Sequence, residues 1–392
     1  MALYIGFDVH TQQTTFYAIN QEKEFFRKGQ IDTTEEAYRD FAKSMLLQDP
    51  EVSVAMETGT HCRWAAQRLL ENGIDAKVYH ATEVANLRPK KKQKNDMNDA
   101  MELAFGLRNG IYRSEMYMPT DTEYQMRRLC EERLWYVDLA TASINKTKNR
   151  LRSLGMEIPT TLRTEKAWKS LLEKHRDTEL IFYIQLHYKT FCHARETILE
   201  LEKQMAQLGQ ERQEELDLLQ TIPCVGERTA FAMVAAVGDI KRFPSSSQMA
   251  SYFGAIPASY DSGDRKISGH ITRTGPSYLR RLLCECAWHA IKHTNPLSAY
   301  YYSIFARTGN RKKAIVAVMH HIVRIAYQIL KTREPFDAKK LRIYQEKLPN
   351  IDKWYWRRGV PPQPGPDGSA VNPNPPEPPV KRLKIQKIAS EG

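Results

Sequence analysis

The chain has 392 residues, 42% of them hydrophobic, and a formal net charge of +12. That length allows two or three domains with cores of their own, and the basic balance favours a polyanionic partner, nucleic acid by default. Six scattered cysteines (62, 130, 192, 224, 284 and 286) form no CxxC pair and have no matching histidine spacing. This pattern argues against a zinc site or a disulfide framework and fits a reducing cytoplasm. No charged-then-apolar leader precedes the first strand and no apolar run approaches a membrane span, so a soluble cytoplasmic protein without a membrane partner is expected.

Strand patterns occupy 3–9, 14–19, 24–31, 52–56 and 76–79, and helix patterns 34–47 and 62–72. The order β-β-β-α-β-α-β, opening on an antiparallel meander, predicts an α/β domain with a mixed sheet. Next comes Arg88-Pro89-Lys90-Lys91-Lys92-Gln93-Lys94, whose lysines Lys90, Lys91, Lys92 and Lys94 are candidate phosphate contacts. Residues 122–155 read as one long basic helix. Residues 178–217 read as a second, with Ile184, Phe191, Ala194, Ile198, Leu201, Met205 and Leu208 at heptad spacing. That seam predicts either a coiled coil serving dimerisation or a helix packed on its own domain. Residues 218–335 form a mostly helical second domain. From 359 onward, proline-rich stretches and a short basic end predict a disordered or polyproline-like tail. The expected division is 1–120, 121–217, 218–335 and 336–392.

Four carboxylates carry the chemistry. Asp8 lies in the apolar run Leu3-Tyr4-Ile5-Gly6-Phe7-Asp8, and Glu57 follows a second such run, Val52–Met56 in character, at its exit into Thr58-Gly59. Asp96 and Asp99 open a helix one turn apart in Lys94-Asn95-Asp96-Met97-Asn98-Asp99-Ala100. Charges at the ends of core strands are costly unless compensated, and a divalent metal is the usual compensation where several acids converge. Acids on a first strand, a later strand and a helix match the layout of RNase H-like nucleases. Two carboxylate-held Mg²⁺ ions would polarise a phosphodiester and stabilise its attacking and leaving oxygens.

Two further segments suggest contact with DNA. Thr221-Ile222-Pro223-Cys224-Val225-Gly226-Glu227-Arg228 separates two helices in a helix-hairpin-helix pattern, whose turn at Gly226 offers backbone amides to a phosphate. Cys224 stands where such hairpins usually carry glycine. Between later helices, Ser262-Gly263 is followed by Arg265, Lys266, His270 and Arg273. The cations suit a phosphate, and the serine is either a nucleophile or a turn residue.

Taken in order, Gly6-Phe7-Asp8-Val9-His10, Glu57-Thr58-Gly59, the Asp96/Asp99 segment, Ile222-Pro223-Cys224-Val225-Gly226, Phe253-Gly254-Ala255-Ile256-Pro257, Ser262-Gly263 and Gly269-His270-Ile271-Thr272-Arg273-Thr274-Gly275 resemble the motifs of the DEDD transposases of the IS110 insertion-sequence family, akin to Piv-type DNA invertases. The resemblance implies a RuvC-like, RNase H-like first domain in a prokaryotic, nucleoid-associated enzyme that cuts and rejoins DNA. It implies that Asp8, Glu57, Asp96 and Asp99 hold Mg²⁺ and that Ser262 is the nucleophile, forming a phosphoserine link. It also implies a structured noncoding guide RNA pairing with donor and target double-stranded DNA. The active species would be a homodimer or homotetramer, with the acids of one subunit near the serine of another. Two other readings stay open: a RuvC-like junction endonuclease that uses water, and an inactive nucleic-acid-binding protein.

Overall fold

Residues 2–87, 95–262, 265–272, 275–292 and 296–338 and two short strands near the C-terminus are described by the computed structural model; 257–270 and the two short strands are described by backbone alone. The predicted lysine run at 90–94, Arg273 and nearly all of the predicted proline-rich tail lie outside these residues. The chain divides into two compact units, 1–118 and 119–392.

In the first unit, β1 (Leu3–Val9) is a near-continuous apolar run, the signature of a strand covered on both faces. It pairs antiparallel with β2 (Gln13–Ile19), which pairs antiparallel with β3 (Phe25–Asp32). After α1 (Glu35–Leu46), β4 (Val52–Glu57) adds parallel to β1; after α2 (Cys62–Glu71), β5 (Asp75–Tyr79) adds parallel to β4. The result is the predicted mixed sheet, in order β3-β2-β1-β4-β5.

Strand parity then sorts the side chains. Leu3, Ile5 and Phe7 enter a core shared with Tyr38, Phe41 and Met45 of α1 and Leu69 of α2. Phe7 stacks edge-on against Phe41 with ring centroids 5.1 Å apart. Gly6 and Asp8 fall on the opposite face, which is covered by α4 (Asp96–Arg108), reached through α3 (Ala81–Leu87). A Cβ on Gly6 would lie 1.9 Å from the Ala100 carbonyl oxygen and 2.6 Å from the Ala104 amide, so only glycine lets α4 sit this close to β1.

In the second unit, α5 (Asp121–Ser153) starts with a Thr120/Glu123 capping box. It runs antiparallel to α7 (Leu180–Gly209): Arg133 meets Glu202, Thr147 meets His187, and Arg150 lies over Tyr183. The connection at 154–179 holds α6 (Glu165–Lys174), whose Trp168 is fully buried against Phe191. The heptad seam is therefore covered within the chain. Ile184, Phe191 and Ala194 share a core with Ala140 and Leu151 of α5. Of the two readings of the seam, the helix packed on its own unit describes these residues. The predicted continuous helix to 217 is broken at Gln210–Arg212, a 3₁₀ turn, before α8 (Gln213–Gln220).

A larger core is centred on α9 (Glu227–Val237), buried at every residue from Thr229 to Val237. It includes α10 (Ser246–Tyr252), α11 (Ser277–Ala290), α12 (Pro296–Thr308) and α13 (Arg311–Thr332), and draws Met126 and Cys130 from α5 and Met205 from α7. The segment 257–271, placed between helices with no strand predicted for it, is a hairpin of β6 (Pro257–Ser262) and β7 (Arg265–Ile271). Its mixture of glycine, serine and charged residues hid the strand alternation. Near the C-terminus β8 (Gln363–Pro364) pairs antiparallel with β9 (Ala370–Val371).

The expectation that no apolar run approaches a membrane span needs correction. The 22 residues of α13 are long and apolar enough to cross a membrane by length and composition. Ala314, Val318, Ile322, Val323 and Ala326 are fully buried in the second unit's core, as in the central helix of a helical domain.

Candidate active site

The four acids meet on one face of the first unit's sheet. The parallel register sets Phe7 opposite Met56, so Asp8 and Glu57 follow side by side at the exits of β1 and β4. Ala55 packs with Leu103 of α4, which puts Glu57, two residues on, on the α4 face as well. The close approach at Gly6 brings down the first turn of α4. There the Asn95 side chain caps the helix by accepting from the Met97 amide at 3.0 Å. Asp96 and Asp99 stand in that turn, favourably placed against the helix dipole. Asp8 and Asp99 are buried, Glu57 is half-buried and Asp96 is exposed.

The electrostatics show the convergence. Burial raises the Asp8 pKa above the ordinary carboxylate range; His10 opposes that, and the charges of Asp96, Asp99 and Glu57 reinforce it. A buried carboxylate facing three others is an arrangement that a cation relieves. Hard oxygen donors of this number suit a divalent ion.

A histidine completes the set. His10 Nε2 lies 3.3 Å from Asp8 Oδ2 and 3.7 Å from Asp96 Oδ2. Asp8, His10 and Asp96 offer ligand atoms all within 4.8 Å of one another. In the sequence His10 stands within the motif Gly6-Phe7-Asp8-Val9-His10 with no role of its own. Its signal was there: it stands two residues after Asp8, on the same side of an extended chain.

The second unit holds Gly226, Ser262, Arg265 and Lys266. Gly226 starts α9 with open space where a Cβ would be. Cys224, in the turn before it, has φ = +79°, a left-handed conformation that glycine adopts without penalty and cysteine does not. The departure from glycine therefore costs backbone strain. Cys286 of α11 receives hydrogen bonds from the Cys224 thiol and the Gly226 amide and lies 3.3 Å from the Thr229 hydroxyl, tying the hairpin to α11. Cys224, Gly226, Arg228, Tyr278 and Arg281 line an open cavity of about 410 Å³. Ser262 ends β6 and pairs in register with Arg265, the first residue of β7, while Asp261 pairs with Lys266.

Two family models cover these segments. One, of the transposase domain of DEDD IS110-type elements, matches residues 5–156; the other, described as the transposase IS116/IS110/IS902 family, matches residues 216–303. The chain belongs to the IS110 transposase family. Its similarity to individual IS110-type relatives is moderate. It is 25% identical over 261 residues to the transposase for insertion sequence element IS1111A of Coxiella burnetii, covering 63% of this chain and 69% of that protein. It is 26% identical over 246 residues to the IS1328 transposase of Yersinia enterocolitica, covering 61% and 70%. It is also 29% identical over 176 residues to the pilin gene-inverting protein of Moraxella bovis, covering 43% of this chain and 54% of that protein, so it spans about half of that relative. As an IS110-family transposase, the chain carries Asp8, Glu57, Asp96 and Asp99 within the first match and Gly226 and Ser262 within the second.

Proposed function

We propose that this IS110-family transposase is a DNA recombinase that cuts and rejoins strands through a covalent serine intermediate. The observation that carries the reading is the convergence of Asp8, Glu57, Asp96 and Asp99 at the exits of β1 and β4 and the start of α4. Asp8, Glu57, Asp96 and Asp99 would hold Mg²⁺, as a two-metal site. Bound there, the metal supplies Lewis-acid polarisation of the phosphodiester and charge stabilisation on its oxygens. The Ser262 hydroxyl attacks phosphorus, a phosphoserine bond forms, the deoxyribose–oxygen bond to phosphorus breaks, and the proton ends on the released hydroxyl. Attack by the hydroxyl of a second strand reverses the step, frees Ser262 and joins DNA. Phosphodiester energy is conserved, so no nucleotide hydrolysis is needed.

Arg265, Lys266 and Arg273, near Ser262 in sequence, and Lys90, Lys91, Lys92 and Lys94, just before Asp96, suit phosphate contacts. A phosphate reaching the hairpin after Gly226 would meet the first amides of α9. The charge of +12 accommodates both donor and target DNA and a structured noncoding guide RNA that selects them by base pairing. The working species is a homodimer or homotetramer in the prokaryotic cytoplasm, at the nucleoid. The inversion activity in the name of the Moraxella relative supports rejoining rather than hydrolysis.

The test is a strand-exchange assay in cells carrying the gene with its flanking DNA. Asp8→Asn and Ser262→Ala should each reduce recombinant product by at least about 10³-fold, the scale lost when a nucleophile or its electrostatic support is removed. Undiminished exchange by Ser262→Ala would end the serine assignment and leave a metal-dependent nuclease that uses water.

A further inference from the structure

We propose that His10 is a direct ligand of the divalent metal, so that the site is a mixed carboxylate–imidazole centre whose affinity for Mn²⁺ relative to Mg²⁺ is raised by the nitrogen donor. The inference rests on the proposed metal site and adds to it the donor that sets metal choice. Its ground is geometric. Adjacent ligands in an octahedral site of metal–ligand distance about 2.1 Å are about 3.0 Å apart. His10 Nε2 stands 3.3 Å from one carboxylate oxygen of Asp8 and 3.7 Å from one of Asp96. Closing those edges takes about 0.3 Å toward Asp8 and about 0.7 Å toward Asp96, within the reach of a side chain just past a strand end and more than half exposed.

Position supports the assignment. Asp8 is fixed by β1, and Asp96 by the capped first turn of α4. His10 bridges the two elements with a ring nitrogen aimed at both carboxylates. An arginine or lysine there would fill the cation's place; a neutral imidazole brings a lone pair instead. Mg²⁺ prefers oxygen ligands and water, whereas affinity for a nitrogen donor rises along the first-row series from Mn²⁺ onward. A nitrogen donor added to the carboxylates therefore raises the affinity for Mn²⁺ relative to Mg²⁺.

The test uses the full chain loaded with Mn²⁺ alone and read by pulsed electron paramagnetic resonance. The wild type should show ¹⁴N modulation from a directly bound imidazole. His10→Ala should lose that modulation yet still bind Mn²⁺ through its carboxylates. Isothermal titration should show the ratio of Mn²⁺ to Mg²⁺ affinity falling by about tenfold in the variant. Absence of ¹⁴N coupling in the wild type, or its persistence in His10→Ala, would overturn the proposal while leaving the carboxylate site standing. If Asp8→Asn leaves Mn²⁺ binding unchanged, the metal reading of the four acids fails, and the His10 assignment with it.

Discussion

Asp8 puts a charge at the end of an apolar run and lies buried among other acids. His10 is an ordinary lone histidine beyond a strand until the fold brings Asp96, 86 residues away in sequence, beside it. Cys224 could be read as a substituted glycine, and its positive φ gives that substitution a cost. His321 of α13 was invisible in the sequence. Burial, followed by Arg324 and His320, lowers its pKa from 6.5 to about 4, and its Nε2 is buried without a hydrogen-bond partner among the described residues. The unfolded chain binds a proton below about pH 6.5 that the folded ring refuses until about pH 4. Stability should therefore fall as pH drops through that window, by up to about 3 kcal/mol. His321→Phe should flatten this dependence. Urea unfolding of both proteins at pH 7.5 and 4.5 checks it; an unchanged difference between the two pH values in the variant would show that His321 is not the source.

Elements were more readable than residues wherever one periodicity dominated. The five strands of the first unit and helices α1, α2 and α5 lie within a residue or two of their predicted bounds, because apolar runs and 3.6-residue spacing agree with their surroundings. The β6–β7 hairpin was missed, since its alternation is diluted by polar residues. The partner of the α7 seam was also not legible: a heptad pattern states that a face is buried but not against which helix, and here α5 fills it. The element-scale device of greatest consequence is Gly6. Gly6→Ala would drive a methyl into the α4 backbone, costing about 2 kcal/mol or more and moving Asp96 and Asp99 away from Asp8. The expected outcome is a lowered melting temperature together with loss of the stabilisation that saturating divalent cation gives the parent, about 2.7 kcal/mol at a hundredfold excess over Kd. Thermal scans with and without Mn²⁺ measure both. A variant that keeps the full metal-induced shift would show that α4 position does not control the site.

At the scale of the whole molecule, the chain joins an α/β unit bearing four convergent acids to a helical unit bearing Ser262 on a hairpin. Membership in the IS110 transposase family was readable because ordered motifs recur in both units, although each motif alone is short. In the proposed mechanism the acids and the serine serve one chemistry, in which a protein hydroxyl replaces water as nucleophile. The most direct measurement is recovery of the protein under denaturing conditions from cells carrying the gene with its flanking DNA, followed by nuclease digestion and peptide mass spectrometry. The expected result is a deoxynucleotide phosphate attached to Ser262, absent from Ser262→Ala and from Asp8→Asn. Cleaved DNA with no such adduct on the active wild-type protein would contradict it.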